Sequence, residues 1–346
     1  MHQTNCAQPI DDRAPVDASI EDLDPEAVSS FLRRLRSEGR AALDDQPSDT
    51  EALERMVVMD DGRPTLAGLL VFGRYPQKWF PQLAATVAVF PTGDGTEIRN
   101  GLRLLDNRTV DGAAPRIVAR TVEAIARNLG HRVLSAGMGG QQEWEIPEGV
   151  LREAITNAIM HRDYSPFSLG SQVRVEVYPD RVEVHSPGGV WGGQSIDDLL
   201  RGGSHSRNAV LANLLADAQL RGSHESVAEN KGTGLRRMVG LMRNAGLPNP
   251  EFIDSVSEFV VVLRRVANAT SGQINLEHAS PVCDIVMDAL RRAGSPVRAA
   301  DMVGTDGISR RQVDRALTVL LDQGRIEPTA VPRSKNRAYR IVALAA

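Results

Sequence analysis

The chain has 346 residues and a mass of 37.5 kDa, too long for one ordinary domain, so two or three are expected. Its 42% hydrophobic and 24% charged content is that of a globular protein, and no apolar run reaches the roughly 18–20 residues needed to span a bilayer. A net charge of −4 excludes a chain that coats nucleic acid along its whole length, yet leaves room for a local basic surface, because screening confines charge effects to about 10 Å. Met1 to Ser19 lacks the apolar core of a signal peptide, so the expected location is the cytoplasm, away from membranes. Cys6 and Cys283 are too few and too far apart for a disulfide framework or a CxxC metal site.

In chain order, residues 1–23 are rich in Pro and Asp and read as disordered or linker-like. Val28, Phe31, Leu32 and Leu35 fit helical spacing within a helix predicted from Pro25 to about Leu43. Ala67 to Phe72 is a continuous apolar run, and Ala84 to Phe90 reads as a buried strand. Ile117 to Leu129 is amphipathic and helical. A helix is predicted from Pro147 to about His161, with proline in its first turn. Gln172–Tyr178 and Arg181–His185, separated by Pro179-Asp180, read as a hairpin with a two-residue turn. Helices follow at Ser206–Ala218 and Gly234–Ala245, then a strand at Phe259–Leu263. Val266–His278 is polar and unpatterned, a linker.

Glu153, Asn157 and His161 are spaced i, i+4, i+8, which puts them on one face of their helix. Spacing alone is equally consistent with a solvated stripe. Two glycine segments follow: Ser186-Pro187-Gly188-Gly189 ends a strand, and Lys231-Gly232-Thr233-Gly234 opens a helix. Glycine at a helix start lets phosphate approach backbone N–H groups, and the helix dipole favours the anion. The chain contains no GxxxxGK[ST] phosphate loop, so a P-loop helicase motor is excluded. His161-Arg162-Asp163 is not a kinase catalytic loop, since Ser168 stands where that loop needs asparagine.

The stretch LREAITNAIMHRDY, followed in order by the strand pair, Gly188-Gly189 and Gly232-Thr233-Gly234, resembles the GHKL superfamily. It most resembles the ATPase-like module of RecG-related transcriptional regulators. The likeness takes in TLAGLLVFG at Thr65–Gly73, Gly203 with Arg207-Asn208, and Gly232 to Met238, and covers roughly residues 20–265. It implies an α+β fold, a two-layer α/β sandwich of GHKL or Bergerat type, preceded by a small α/β region. It also implies that Asn157 holds Mg²⁺ and that Glu153 activates water in members that hydrolyse ATP. His161, Ser186, Gly188, Gly189, Lys231, Gly232, Thr233 and Gly234 would then surround the nucleotide. Ser186 stands near the place of the superfamily's adenine-binding aspartate. Such relatives usually carry a Schlafen AlbA-type domain ahead of the matched segment, which is expected to be missing here.

The last segment reads as three helices and a hairpin, the pattern of a winged helix-turn-helix. Val282, Ile285, Val286, Ala289 and Leu290 line a first helix ending at Gly294, and Val297–Val303 is a short second one. Ser309 caps a third, which buries Val313, Ala316, Leu317, Leu320 and Leu321. Arg325–Thr329 and Ala338–Val342 pair as the wing. Arg310, Arg311, Gln312 and Arg315 would enter the DNA groove, and Arg333, Lys335 and Arg337 on the wing would meet phosphates.

The expected domains are therefore 1–23 (linker), 24–145 (α/β region), 146–265 (nucleotide-binding), 266–278 (linker) and 279–346 (DNA-binding). The expected function is a transcriptional regulator that takes ATP and Mg²⁺ and binds double-stranded DNA, as a homodimer by the two-fold symmetry common in such proteins. The alternatives are a weak ATP hydrolase acting in nucleic-acid maintenance or defence, and a degenerate scaffold that mediates assembly only.

Overall fold

The structure, a computed structural model, describes residues 17–96, 103–134, 141–202, 206–220, 225–228, 232–265, 281–303, 310–322, 325–329 and 338–342. The chain divides into two compact units, one of Met1–Gly95 with Leu104–Ala267, the other of Thr96–Arg103 with Asn268–Ala346. Among the described residues no helix is long and apolar enough to cross a membrane.

The first unit begins earlier than its sequence suggests. Ala18 and Leu23 are buried, and Leu23 bridges to Gly73, so ordered packing starts inside the segment read as linker. Helix α1, Pro25–Ser37, is capped by the Asp24 carboxylate, which accepts from the Glu26 and Ala27 amides. It stops six residues before Leu43 because Gly39, at φ +66°, turns the chain, and Ala41–Leu43 forms a separate 3-10 turn. After α2 (Asp49–Arg55) and the short hairpin of β1 (Met59–Asp60) and β2 (Arg63–Pro64), the apolar run becomes helix α3, Leu66–Phe72. Every residue of α3 is buried, the expected state of a helix apolar on all sides. Its Gly68 sits against backbone, where an added Cβ would lie 2.1 Å from the Val58 carbonyl oxygen.

Strand β3, Ala85–Val89, alternates buried and half-buried side chains, and β4, Asp106–Val110, pairs with it antiparallel. Helix α4 (Ala114–Ala126), strands β5 (His131–Leu134) and β6 (Gln141–Trp144), and helix α5 (Glu148–His161) lead to strand β7, Val173–Val177. Strand β8, Arg181–Pro187, returns from β7 through the two-residue turn, with Val177 opposite Val182. Helices α6 (Ile196–Arg201), α7 (Ala209–Asp217) and α8 (Gly234–Asn244) precede a closing hairpin, β9 (Glu251–Asp254) and β10 (Glu258–Arg264).

The resulting six-stranded sheet has the order β4-β3-β7-β8-β10-β9, with only β3 and β7 parallel. Its period-two pattern aims Val173, Val175, Val177, Val182, Val184, Val261 and Leu263 at one core. Helix α5 packs on β8 between α4 and α8, burying Leu151, Ala154, Ile155, Ala158 and Ile159. This is a mixed α+β fold of a helical layer on a sheet.

The second unit holds helix α9 (Pro281–Ala293), strand β11 (Val297–Arg298), helix α10 (Arg310–Asp322), and strands β12 (Ile326–Pro328) and β13 (Ala338–Ile341). Its sheet order is β11-β13-β12, all antiparallel, over a core of Val286, Leu290, Met302, Val313, Leu317 and Leu320. The helix expected at Val297–Val303 is corrected: Val297 and Arg298 pair with Tyr339 and Ala338, and only a 3-10 turn, Ala299–Met302, follows. The β-branched Val297 finds hydrogen bonds on the free edge of β13, which outweighs a helix of barely two turns. The segments 266–278 and 331–337, read as linker and wing tip, lie outside the described residues.

Candidate functional site

Four segments of the first unit meet around one cavity: the half-buried polar stripe of α5, the end of β8 with the turn after it, the residues leading into α7, and the start of α8. Glu153, Asn157, His161, Ser186, Gly188, Gly189, Gly232, Thr233 and Gly234 all line it. Lys231 lies outside the described residues.

At one end, the Asn157 amide donates to the Glu153 carboxylate at 3.1 Å, which turns the Asn157 carbonyl oxygen away from it. The start of α8 closes over this pair. A Cβ on Gly234 would lie 2.2 Å from Glu153 Oε1 and 2.9 Å from Asn157 Nδ2, so a larger residue would displace the ends of these two side chains. Gly232, at φ +63°, makes the turn into the helix. Thr233, the N-cap, makes no side-chain cap bond, and the first turn of α8 holds no acidic residue. The helix start therefore offers its N–H groups and positive dipole end to the cavity. Oxygen ligands beside such a helix start suit Mg²⁺, which takes few protein oxygens and completes its shell with phosphate and water.

Eight residues along α5, roughly 12 Å away, stands His161. Burial, and after it the charge of Arg207, pushes its imidazole down to about 4, so it is neutral at physiological pH. The last turn of α5 is held by side chains. The hydroxyls of Ser186 and Tyr164 donate to the carbonyls of Ala158 and Ile159, at 2.9 and 2.8 Å. The Asn208 amide donates to the carbonyls of Met160 and Arg162, at 2.9 and 2.8 Å. Asp163 shapes the next turn, accepting from the Ser165 amide and from the hydroxyls of Ser165 and Ser168. Burial works to raise the Asp163 carboxyl, but these bonds and the Arg207 charge hold it below the usual carboxylate range.

Arg207, next to Asn208, is brought to this end of the cavity. Its Nη2 donates to the Gly189 carbonyl at 3.0 Å, its Nη1 lies 3.7 Å from Asp163, and its guanidinium sits 5.0 Å from the centre of the Trp191 ring. Gly188 suits its φ of +88°, which L side chains rarely adopt, and a Cβ there would lie 2.7 Å from Asp163 Cβ and 2.4 Å from Arg207 Nη1. A Cβ on Gly189 would meet the Ser255 carbonyl oxygen at 2.1 Å. These two glycines are therefore required by internal packing, although both also face the cavity. Burial pulls the Arg207 pKa down and Asp163 partly restores it. Arg207 Nε and Nη1 and Gln194 Oε1 are buried with no hydrogen-bond partner among the described residues. Arg207, Trp191 and Gln194 line the cavity, yet their loops show no period; only the Arg207-Asn208 pair carried a signal, through the resemblance.

The opposite face of the sheet carries Glu176, Glu183 and His185 within metal-ligating distance of one another. Arg181 pairs with Glu183 at 2.5 Å and Arg174 reaches Glu176 at 3.5 Å, so these carboxylates already have counter-charges.

In the second unit, Arg310 is exposed at the start of α10, where its Nε donates to the Asp314 carboxylate at 3.0 Å. Arg311, Gln312 and Arg315 belong to the same helix, whereas Arg333, Lys335 and Arg337 lie outside the described residues.

Residues 170–263 match the family described as "Putative ATP-dependent DNA helicase recG C-terminal", an ATPase-like domain, and residues 1–85 match a domain of unknown function, DUF8451. No curated protein matches the chain. The crystal structure of the DIP2311 protein from Corynebacterium diphtheriae superposes with a TM-score of 0.55 at 18% identity, a likeness of fold, covering 97% of this chain. The present chain spans 64% of that protein's length. An ATPase-like module related to the RecG C-terminal family thus occupies the sheet from β7 to β10 that forms one wall of the cavity.

Proposed function

We propose that the chain is a nucleotide-responsive DNA-binding regulator of transcription, with a nucleotide and Mg²⁺ in the first unit and double-stranded DNA on the second. One observation carries the reading: nine residues chosen from the sequence for nucleotide chemistry line a single cavity, with Glu153 and Asn157 under the start of α8. Asn157 would hold the metal ion, which neutralises phosphate charge, and the N–H groups at Gly234 and Leu235 would meet the phosphates. For DNA, the support is the order of α9, α10 and the β12–β13 hairpin, with three arginines and a glutamine in the first half of α10.

Hydrolysis is the second reading, favoured by the carboxylate of Glu153 beside Asn157. It places Glu153 as the base that takes a proton from water. Isothermal titration with ATP and Mg²⁺ tests binding. Micromolar affinity lost in Asn157→Ala is the expected result, and no heat with any nucleotide overturns the reading. Glu153→Ala separates the two roles, since turnover should vanish while binding survives. We further propose a homodimer as the DNA-binding form, for which light scattering should give twice the chain mass.

A further inference from the structure

We propose that the Glu153 carboxylate occupies the phosphate position at the start of α8, and that phosphate enters by displacing it. This rests on the nucleotide reading above and concerns how entry to that same site is controlled.

The start of a helix attracts an anion, and three helices of the first unit supply one from their own sequence. Asp24 caps α1 through two backbone amides, and the pairs Ser48–Glu51 and Ser195–Asp198 form capping boxes on α2 and α6. Helix α8 supplies none. Thr233 makes no side-chain cap bond, and no acidic residue stands in the first turn.

The anion comes from another helix instead. Every Cα–Cβ bond of an α-helix tilts toward the N-terminus, so the Cβ direction of Gly234, the first residue of α8, leads out past the helix start. Glu153 Oε1 lies 2.2 Å from the end of that bond, in the space that the missing side chain leaves. The same oxygen accepts from the Asn157 amide at 3.1 Å, which holds the carboxylate in this direction. Both residues are half-buried on α5, which packs against α8. Partial shielding from water strengthens the attraction between the carboxylate and the helix dipole.

A phosphate seeks the same place for the same reason. Two anions cannot share it, because they overlap in space and their charges repel in a half-buried site. Phosphate therefore binds as the carboxylate swings away from Gly234. That movement also ends the bond to Asn157 and releases its amide to turn toward the ligand.

The experiment is a calorimetric titration of the full chain with inorganic pyrophosphate in EDTA and with ADP in Mg²⁺. Wild type is compared with Glu153→Gln, Glu153→Asp, Glu148→Gln and Asn157→Ala, and thermal melts confirm that each variant folds. Glu153→Gln, of the same size without the charge, should bind pyrophosphate about five- to thirty-fold tighter, the range for a charge at a helix terminus. Glu153→Asp, which keeps the charge and draws it back from Gly234 by one methylene, should also gain, by less. Glu148→Gln, which removes an exposed charge from the first turn of α5, should bind as wild type does. A gain in Glu153→Gln with none in Glu153→Asp overturns displacement and assigns the effect to charge at a distance. An equal gain in Glu148→Gln overturns it in favour of net charge. ADP binding that is lost in Asn157→Ala, with no gain for pyrophosphate in either Glu153 variant, overturns displacement and leaves the nucleotide site standing. Failure of both ligands to bind any of these proteins defeats both readings.

Discussion

Gly234 and Glu153 stand so close that a methyl group on the glycine would lie 2.2 Å from the Glu153 carboxylate oxygen. The same methyl would be 2.9 Å from the Asn157 amide nitrogen, so Gly234→Ala must push α8 away from α5 or displace the pair. The clashing atoms are the ends of two side chains that can move, so the change costs less than core overpacking, up to about 1 kcal/mol, and it falls on the phosphate end of the cavity. Gly240, on the same helix, has nothing within 4 Å of its would-be Cβ. Gly240→Ala should therefore stabilise the protein by about 0.5–1 kcal/mol through helix propensity. Urea denaturation and nucleotide titration of both variants check this. Equal stability changes in the two would mean that α8 does not press on the Glu153–Asn157 pair.

His161 makes the fold sensitive to mild acid. Its imidazole titrates near 6.5 when unshielded and at about 4 in the folded protein. Between those values the unfolded chain holds the extra proton, so stability rises with pH across this window. The stabilisation is complete above about pH 6.5 and is lost progressively as pH falls toward 4. At 1.36 kcal/mol per unit the loss is on the order of 3 kcal/mol. Denaturation at pH 7.5 and pH 4.5 should show a smaller acid-induced loss in His161→Gln than in wild type. Parallel losses in the two proteins would show that His161 is not shielded in the fold.

Legibility followed periodicity. The α5 stripe, the β7–β8 hairpin and the α8 start were readable because an apolar period of 3.6 or 2 framed the polar residues. Strand β4, with the sequence DNRTV, was not, because an edge strand exposed on both faces needs no apolar alternation. Nor was β9, another edge strand, whose buried partner is β10. Phe72 lies in a helix although its run reads equally well as a strand, since a wholly buried segment has no period to show. The site was half legible for the same reason. Glu153 and Asn157 share a helix face, but Trp191, Gln194 and Arg207 are brought in by loops, and the Asn208 bonds that place Arg207 reach back 46 and 48 positions.

Arg265 ties the end of β10 to the strand before α5. Its side chain is 6% exposed; it donates from Nε to the Glu145 carboxylate at 2.7 Å and from Nη1 to the Tyr178 carbonyl at 3.1 Å. Removing Arg265 leaves the Tyr178 carbonyl without its donor and Glu145 without its counter-charge, but Glu145 is 25% exposed and partly hydrated, so the loss is about 1–3 kcal/mol. Arg265→Met should lose that much in urea denaturation. Joint replacement with Glu145→Leu should recover part of it, because no unpaired carboxylate remains. No recovery in the double variant would place the loss in the Tyr178 hydrogen bond.

The DNA reading turns on one face of α10. Arg311 and Arg315 are four residues apart, one above the other on the helix. Arg310 is engaged with Asp314 along the same helix. Arg33, exposed on α1 in the other unit, serves as a control for general charge loss. With a duplex selected from random sequence, fluorescence anisotropy should show Arg311→Ala and Arg315→Ala weakening binding by about 1–3 kcal/mol each, and Arg33→Ala by much less. Neutralising Arg333, Lys335 and Arg337 should act differently, lowering the salt dependence by about one counterion for each phosphate no longer neutralised, with little change in sequence preference. Equal losses at Arg33, Arg311 and Arg315 would mean that DNA is held by diffuse charge, and α10 would then not be the reading helix.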